Sequence, residues 1–400
     1  MRRYIIAGAA VLIELLLGFQ YTWAIFDNAL QGRHGFTATQ AQAVFAAQIV
    51  TFALTFPVAG WVLHTIGPRL TTIIGGTIYA VSLLLGAKYG QNPSALFWST
   101  GVLFGAGLAL AYICPIVTIQ KWFPKYKGVA TGLVVACYSS CSFFLAYITN
   151  ALLARGMTVF EILHIYGVVA LCGLIPLALV FVNPPREADA PKRGRFPAGV
   201  LRTGHFWGLT VAYFAGTTAG LSVVGSISKI GGTLHAPEWW LAGAVMALAA
   251  GNTTGRVAWG FISEWIGTRR AVCAALATLG GSICAMTFFG SNGPAFIALA
   301  FGIGFGYASN FVLYISDVSR TYGSDRVGSV YGLIALAYIG SGLFGPPSAG
   351  RSYDLWHSYN PSMYGAAALT LVGLVLFLVM HGDPVEESHG ESVIPSEVQG

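Results

Sequence analysis

Charged side chains are scarce in this sequence: Asp, Glu, Lys and Arg make up 9% of its 400 residues, against 55% hydrophobic residues. A mean hydropathy of +0.68 excludes an ordinary water-soluble globule. Apolar runs long enough to cross a bilayer recur along nearly the whole chain, and no segment resembles a separate soluble domain. The composition therefore predicts an integral membrane protein whose surface contacts lipid.

The sequence also lacks the motifs of nucleotide, metal and nucleic-acid chemistry. It has no GxxxxGK[ST] phosphate loop, and its six cysteines lie inside apolar runs without a CxxC pair. The formal net charge is +6, but the basic residues are scattered over short loops and form no patch. We therefore expect no enzymatic activity, no cofactor, no metal and no nucleic-acid partner.

Twelve segments have the length and hydropathy of a membrane span. They lack the alternation of barrel strands, so they are predicted to be helices. The fold class that follows is an all-α membrane protein with twelve transmembrane helices. The predicted spans are 4 to 26, 39 to 63, 70 to 88, 95 to 120, 128 to 151, 159 to 182, 206 to 229, 239 to 263, 271 to 289, 295 to 318, 328 to 350 and 362 to 381.

Lys and Arg residues are distributed unequally between the alternate loops. Fifteen of the 21 lie on one side of the predicted membrane, five on the other, and Arg256 lies within a span. The excess predicts that both termini are cytoplasmic and that the protein is a multi-pass protein of the inner membrane. We call the side with fifteen the basic face; it carries Arg2, Arg3, Arg69, Lys121, Lys125, Lys127, Arg186, Lys192, Arg193, Arg195, Arg202, Arg269, Arg270, Arg320 and Arg326.

The two halves of the sequence repeat each other at a nearly fixed offset. The segment GWVLHTIGPR at Gly60–Arg69 returns as GFISEWIGTR at Gly260–Arg269, 200 residues later. The same offset relates a second set of residues, and an offset of 197 relates FGAG at 104–107 to FGIG at 301–304. The members of the second set are Gly128 with Gly328, Gly132 with Gly332, Leu133 with Leu333 and Tyr138 with Tyr338.

This repeat predicts two six-helix halves in parallel orientation, an arrangement that resembles the major facilitator fold, with a cavity near the midplane. The predicted divisions are an N-terminal half at 1–183, a cytoplasmic linker at 184–205, a C-terminal half at 206–382 and an acidic cytoplasmic tail at 383–400. We expect the chain to function as a monomer.

Arg256 is the residue on which the functional prediction depends. A permanent cation inside a span costs a few kcal/mol on insertion scales and normally faces a cavity and a partner. Asn252 lies one helical turn earlier on the same face, where its amide can add hydrogen bonds to a bound anion. We expect the two to bind a carboxylate. The alternative is a structural arginine that pairs permanently with an acid on another helix.

Several motifs resemble one branch of the major facilitator superfamily. GFQYTWAIF in span one, KWFPKYKGVATG at 121–132 and LRTGHFW at 201–207 resemble the oxalate:formate antiporters and monocarboxylate transporters. The loops at 60–69 and 260–269 are similar to the loop motif of the superfamily, with His64 and Glu264 at the position of its usual acid. The resemblance implies transport of small carboxylates by alternating access, with Arg256 as the arginine that binds the carboxylate.

Two departures from that branch narrow the range of expected substrates. Tyr338 matches the lysine that oxalate carriers have in span eleven, and Asn252 and Ile25 match an aspartate and a lysine of the animal monocarboxylate carriers. One fixed cation neutralises one carboxylate, whereas a second carboxylate would enter unpaired at a cost of several kcal/mol. We therefore expect a monoanion to be preferred over oxalate.

Aromatic residues are the candidates for the walls of the cavity. Tyr338 and its repeat partner Tyr138 can each donate a hydrogen bond to a substrate oxygen, although their alternative role is aromatic packing. Four further residues are candidate walls, again with packing as the alternative: Tyr21, Tyr112, Tyr307 and Phe311.

Proton coupling requires a group that titrates. Glu14 is the only acid that we place well inside a span, and helical spacing puts it on one stripe with Gly18 and Tyr21. We expect it to serve in proton coupling or gating; the alternative is a structural ion pair that never changes its protonation. Asp317, at the cytoplasmic end of span ten, is predicted to be a gating or loop-capping acid.

Three functional hypotheses follow. The leading one is a secondary active transporter of a small monocarboxylate, such as lactate, pyruvate, acetate or formate, that moves with a proton by alternating access. A carboxylate exchanger of the oxalate:formate type would need no bound proton. A non-transporting carboxylate sensor or scaffold belongs to another class, and the lack of a sizeable predicted cytoplasmic domain argues against it.

Overall fold

The computed structural model describes residues 2–184, 198–224, 226–233 and 237–380, and these segments are helical almost throughout, with no strand. The helices before residue 185 are α1 (Arg2–Leu17), α2 (Trp23–His34), α3 (Ala38–Tyr89), α4 (Pro93–Leu96), α5 (Phe104–Trp122), α6 (Lys127–Ala154) and α7 (Val159–Val180). Those after residue 197 are α8 (Gly204–Val224), α9 (Ile227–Thr233), α10 (Glu238–Ile266), α11 (Thr268–Phe289), α12 (Gly293–Ala308), α13 (Leu313–Thr321), α14 (Val327–Ala335), α15 (Ala337–Trp356) and α16 (Asn360–Met380).

Ten of the described segments are long and apolar enough to cross a membrane. One of them, Ala43–Tyr89, contains two of the predicted spans, and α10 lies outside the ten. Counting Ala43–Tyr89 as two and adding α10 gives the predicted twelve. Most of the predicted linker and all of the predicted tail lie outside the described residues, so the domain boundaries stay predictions.

The connection predicted between residues 63 and 70 is a tight kink at Gly67, where two helical stretches of α3 meet. Gly67 has a φ of 83° at this bend, and Gly267 has a φ of 84° where α10 ends and α11 begins. Glycine adopts this left-handed region without a steric cost. The two glycines are 200 residues apart, so the repeat in the sequence is also present in the backbone.

Span one is a single membrane-spanning segment, as predicted, but it is not α-helical throughout. It is interrupted by a 3-10 segment at Gly18–Thr22 between α1 and α2. The hydroxyl of Tyr79 lies 3.2 Å from the carbonyl oxygens of both Leu16 and Leu17, and Thr22 Oγ1 donates to the carbonyl of Phe19 at 2.8 Å. These side-chain bonds give the carbonyl groups near the change of helical geometry additional polar partners.

Spans ten and eleven are likewise single membrane-spanning segments with local departures from α-helical geometry. A 3-10 segment at Ser309–Phe311 separates α12 from α13. A single residue, Leu336, lies between the end of α14 and the start of α15. In span ten, Ser309 Oγ donates to the carbonyl of Gly306 at 2.7 Å, and Trp259 Nε1 donates to the carbonyl of Phe305 at 2.8 Å. Broken spans are typical of the binding region of secondary transporters.

The helices form two bundles, which we call the first bundle (α1–α7) and the second bundle (α8–α16). In the first, α3 packs against α5 and α7; in the second, α8 packs against α15 and α16, and α10 against α12. The bundles meet mainly where α6 packs on α10 and where α3 packs on α14. These two junctions contain the residues of the candidate site.

Polar contacts join the bundles at the basic face. Glu264, the acid of the second loop copy, accepts a hydrogen bond from the backbone N–H of Gly128 at 2.7 Å and pairs with Arg320 at 2.6 Å. Lys127 Nζ donates to the carbonyl of Ser319 at 3.0 Å. Because Lys127 and Gly128 belong to the first bundle and the other three to the second, these contacts close the basic face.

Candidate functional site

Arg256 lies on α10 at the junction of the bundles, with 1% of its surface exposed. Its Nε makes a long hydrogen bond of 3.5 Å to Oδ1 of Asn252, and its Nη1 donates to the carbonyl oxygen of Val135 on α6 at 2.9 Å. Its Cζ lies 4.7 Å from the ring centroid of Phe311, within the range of a cation–π contact. The guanidinium of the second bundle is thus bonded to the main chain of the first.

Three of the predicted wall residues form one aromatic cluster in the second bundle, and one of them, Phe311, contacts Arg256. The ring of Phe311 lies 5.5 Å from that of Tyr307 and 6.3 Å from that of Tyr338, both in edge-on geometry. Tyr307 is buried and Tyr338 is half-buried. The structure therefore places Arg256, Asn252, Tyr307, Phe311 and Tyr338 in one cluster, and their role in substrate binding stays a prediction.

The first bundle contributes a second aromatic wall. The hydroxyl of Tyr138 donates to Oε1 of Gln20 at 2.7 Å, and the Tyr138 ring lies 5.1 Å from that of Tyr112. Tyr138 is one helical turn beyond Val135, whose carbonyl binds Arg256, so both lie on one face of α6. The backbone of Tyr21 belongs to the 3-10 segment of span one, and its side chain is outside the described residues.

Two aromatic residues that the sequence analysis did not single out connect the walls. The ring of Tyr331 on α14 lies 5.6 Å from that of Phe56 on α3. Tyr331 also shares a hydrogen bond with Tyr213 and interacts electrostatically with Arg256. The signal in the sequence was the repeat itself, since Phe56 precedes Arg256 by the same 200 residues that relate Gly60 to Gly260.

Glu14 is fully buried in the first bundle. Both of its carboxyl oxygens have no hydrogen-bond partner among the described residues, and it interacts electrostatically with Arg256. α1 ends at Leu17 and a 3-10 segment follows, so regular α-helical spacing does not extend to Gly18 and Tyr21, and their predicted stripe with Glu14 stays a prediction. Glu14 thus lies on the basic side of the break in span one.

Asp317 belongs to a different cluster, inside the second bundle. It is 5% exposed, and its Oδ2 lies 2.9 Å from Nε2 of the buried His205 on α8. The His205 ring lies 5.7 Å from that of Tyr322. Burial raises the pKa of the Tyr322 hydroxyl, and a hydrogen bond with Thr203 partly offsets this. The Asp317 pair therefore joins α8 to α13, and its role in gating stays a prediction.

The remaining polar side chains include one buried acid that the sequence analysis did not name. Asp27, near the end of span one, is 6% exposed and accepts a hydrogen bond from Gln31 at 2.7 Å, although the sequence analysis passed over it. No group of three or more His, Cys, Asp and Glu side chains within the described ranges is placed to hold a metal ion. The chemistry of the site therefore centres on the guanidinium, the tyrosine hydroxyls and the Glu14 carboxyl.

Comparisons with known proteins agree with this architecture. The fucose:proton symporter of E. coli superposes with a TM-score of 0.70 and 15% sequence identity, over 93% of this chain and 98% of that one. The oxalate:formate antiporter of Oxalobacter formigenes is 25% identical over 353 residues, which cover 86% of this chain and 83% of that protein. Monocarboxylate transporter 13 of Bos taurus is 25% identical over 326 residues, which cover 79% and 74%.

The family model for the Major Facilitator Superfamily matches residues 10–346, and it matches again at residues 255–398. The first match alone extends over far more than half of the chain. Together with the helical architecture, it confirms both the fold class and the resemblance that the motifs indicated. This chain belongs to the Major Facilitator Superfamily.

Proposed function

We propose that this protein is a secondary transporter of small monocarboxylates, which binds the carboxylate at Arg256 and carries it across the membrane together with a proton. Its membership of a transporter family, and its similarity to an oxalate:formate antiporter and to a monocarboxylate transporter, support transport of a carboxylate rather than catalysis. Three further parts of the proposal are argued from the geometry of the site: the preference for a monoanion, the coupling to a proton and the roles of individual residues.

The observation that carries the proposal is the burial of Arg256 between the bundles. A guanidinium presents a planar fork of donors that matches a carboxylate, and such charge-assisted bonds are roughly twice as strong as neutral ones. The Nη1 donor of Arg256 is bonded to a neutral acceptor, the carbonyl of Val135. A carboxylate that reaches the site can therefore replace a weaker partner and form stronger bonds.

The proposed preference for a monoanion follows from the count of buried cations. Arg256 is the only buried Lys or Arg side chain within residues 2–184, 198–224, 226–233 and 237–380. The position that corresponds to a second cation in the oxalate carriers holds Tyr338, which can donate a hydrogen bond but carries no charge. A second carboxylate on the guest would lose its hydration without gaining a counterion, at a cost of several kcal/mol.

Glu14 is the residue that we propose for the proton. Asn252, beside Arg256, cannot titrate, whereas the buried carboxyl of Glu14 can bind and release a proton and senses the charge of Arg256. Its oxygens have no hydrogen-bond partner in the part of the chain that the structure describes, so protonation breaks no such bond. Protonation of Glu14 and arrival of an anion at Arg256 would then change the local charge in compensating directions.

The remaining elements of the proposal concern orientation. We propose that the basic face is cytoplasmic, that the two bundles correspond to the halves predicted at 1–183 and 206–382, and that they rock about the bound substrate as a monomer in the inner membrane. Closure of the basic face by Glu264, Arg320 and Lys127 then corresponds to a state closed toward the cytoplasm.

The test is uptake of labelled lactate by purified protein in proteoliposomes. We expect an inwardly directed proton gradient, with the lower pH outside, to drive accumulation of lactate without any anion inside the vesicles. A strict requirement for an internal anion would establish exchange instead. Binding without uptake under either condition would establish a sensor or scaffold.

Substitutions at Arg256 test its proposed role in binding the carboxylate. Arg256→Ala should abolish uptake, and Arg256→Lys should lose at least about tenfold, because an ammonium lacks the planar fork. Arg270→Lys, exposed on the basic face, is the matched control and should retain nearly full activity. Near-normal uptake by Arg256→Lys would overturn the proposed site.

A further inference from the structure

The internal repeat gives Arg256 a structural counterpart, Phe56, 200 residues earlier. The two positions occupy equivalent places in the interface between the bundles. The main chain at Gly132 packs against the carbonyl oxygen of Arg256, and the main chain at Gly332, its repeat partner, packs against Pro57 and the carbonyl carbon of Phe56. The side chain at one position is a cation, and the side chain at the other is a phenyl ring.

Phe56 lies in an aromatic pocket of the first bundle. It is 1% exposed, and its ring centroid lies 5.2 Å from that of Phe52, 6.2 Å from that of Tyr112 and 5.6 Å from that of Tyr331. The Tyr112 ring also lies 5.1 Å from that of Tyr138, which is one helical turn from Val135, the residue whose carbonyl accepts from Arg256. The site therefore has a charged end on α10 and an apolar end on α3.

We propose that Phe56 is a specificity-determining residue of the carboxylate site, whose ring limits the length of the uncharged tail that the bound acid carries. This inference rests on the proposed function, because it takes the carboxylate to be held by Arg256. A guest that fits both ends has one carboxylate and a short aliphatic tail directed at Phe52, Phe56 and Tyr112. A guest with a charge at its far end would place that charge among aromatic rings.

The size of the effect follows from hydrophobic transfer. Replacing the phenyl ring by a methyl group opens space that the tail of a longer acid can fill. Each additional buried methylene group should then strengthen binding by about fourfold, until the space is used up. Phe56→Ala should therefore favour acids two or three carbons longer than those that the wild-type protein prefers, and Phe56→Leu should produce a smaller shift in the same direction.

The experiment is competition by unbranched acids from formate to hexanoate against labelled lactate, measured on the full-length protein. Phe104→Ala is the matched control, because Phe104 is fully buried in the first bundle against Phe19 and Tyr79, at 5.7 and 4.7 Å between ring centroids. We expect Phe104→Ala to weaken all acids alike or none, and to leave their ranking unchanged. The same ranking in Phe56→Ala, Phe104→Ala and the wild-type protein would overturn the inference.

A comparison on the wild-type protein tests the inference even if the Phe56 variants do not fold. Butyrate and succinate have the same number of carbons, and we expect succinate to compete at least about tenfold less well because of its second charge. Equal competition by butyrate and succinate would contradict the inference that the site has an apolar end at Phe56. If the wild-type protein binds none of these acids, the proposed function fails and this inference falls with it. Normal binding with an unchanged ranking in Phe56→Ala would overturn this inference alone.

Discussion

The main chain of Gly60 packs directly against that of Gly328, and the same contact is repeated between Gly260 and Gly128. A side-chain carbon on any of these four glycines would overlap the main chain of its partner. Gly260 and Gly128 are the repeat partners of Gly60 and Gly328, so one contact between α3 and α14 is the copy of the other between α10 and α6. The repeat has thus built the closure of the basic face twice, from helices that approach through small residues.

Gly328→Ala should destabilise this closed arrangement. The added methyl group meets the main chain of Gly60 rather than a flexible side chain, and overpacking of this kind costs about 1–3 kcal/mol, or roughly 5- to 150-fold in population. The measurement is the rate at which a maleimide alkylates a cysteine placed at the buried Ser263, in a protein whose six native cysteines are replaced. The rate should rise in Gly328→Ala.

Gly281→Ala is the control for this variant. A methyl group at Gly281 on α11 meets nothing within 4 Å, so its alkylation rate should match that of the parent protein. Equal rates in both alanine variants would show that the glycine contact does not hold the basic face closed.

Glu14→Gln should flatten the pH dependence of uptake. In the wild-type protein, uptake should rise as the external pH falls, because a proton enters together with the anion. Glutamine keeps the shape of a protonated carboxyl group but cannot release a proton, so exchange of labelled for unlabelled acid should persist while accumulation driven by a pH gradient is lost. The measurement is the initial rate of uptake in proteoliposomes over a series of external pH values.

The control for Glu14 is another acid of the first bundle. Glu161→Gln removes the carboxylate of Glu161, which caps α7 through Thr158 at the surface, with an Oε2 distance of 2.7 Å to the Thr158 N–H. Its pH profile should match that of the wild-type protein. An unchanged profile in Glu14→Gln as well would assign the proton to another group.

Asp317→Leu should lower the stability of the protein. Removing the carboxylate takes from the buried His205 the polar partner that lies 2.9 Å from its Nε2, and loss of such a partner costs about 1–3 kcal/mol. The double variant His205→Leu with Asp317→Leu should recover part of this loss, since it removes both polar groups. The measurement is thermal unfolding of the purified protein in detergent. A normal melting temperature for Asp317→Leu, together with faster alkylation at the basic face, would favour the predicted gating role instead.

The sequence predicted those features that depend on local composition and on the repeat. Hydropathy alone indicates twelve helices, and a spacing of four residues indicates that Asn252 and Arg256 share a helical face, as the distance of 3.5 Å between Oδ1 and Nε confirms. The rarity of charge inside the spans was sufficient to single out Arg256 and Glu14. Each of these inferences needs only a short segment of the sequence and no knowledge of which other helices pack against it.

The sequence could not predict features that depend on side chains from distant helices. The break in span one is stabilised by Tyr79, 62 residues away from Leu17, and no local pattern indicates that partner. The cluster of Asp317 with His205 requires α8 and α13 to be adjacent, which spacing does not reveal. Phe56 was overlooked because a phenylalanine in an apolar span is unremarkable until its position in the repeat is compared with that of Arg256.

Tyr338→Lys should convert the site to one that accepts a dianion. The Phe311 ring contacts both Tyr338 and the guanidinium of Arg256, at 6.3 and 4.7 Å, so a lysine at position 338 would place a second cation in the same cluster. We expect oxalate to compete against labelled lactate at least about tenfold better than in the wild-type protein, and lactate itself to bind less well because one cation then lacks a countercharge. Tyr353→Lys, on the surface of α15, is the matched control and should leave both acids unaffected. A folded Tyr338→Lys variant that still excludes oxalate would show that charge balance at Arg256 does not select the monoanion.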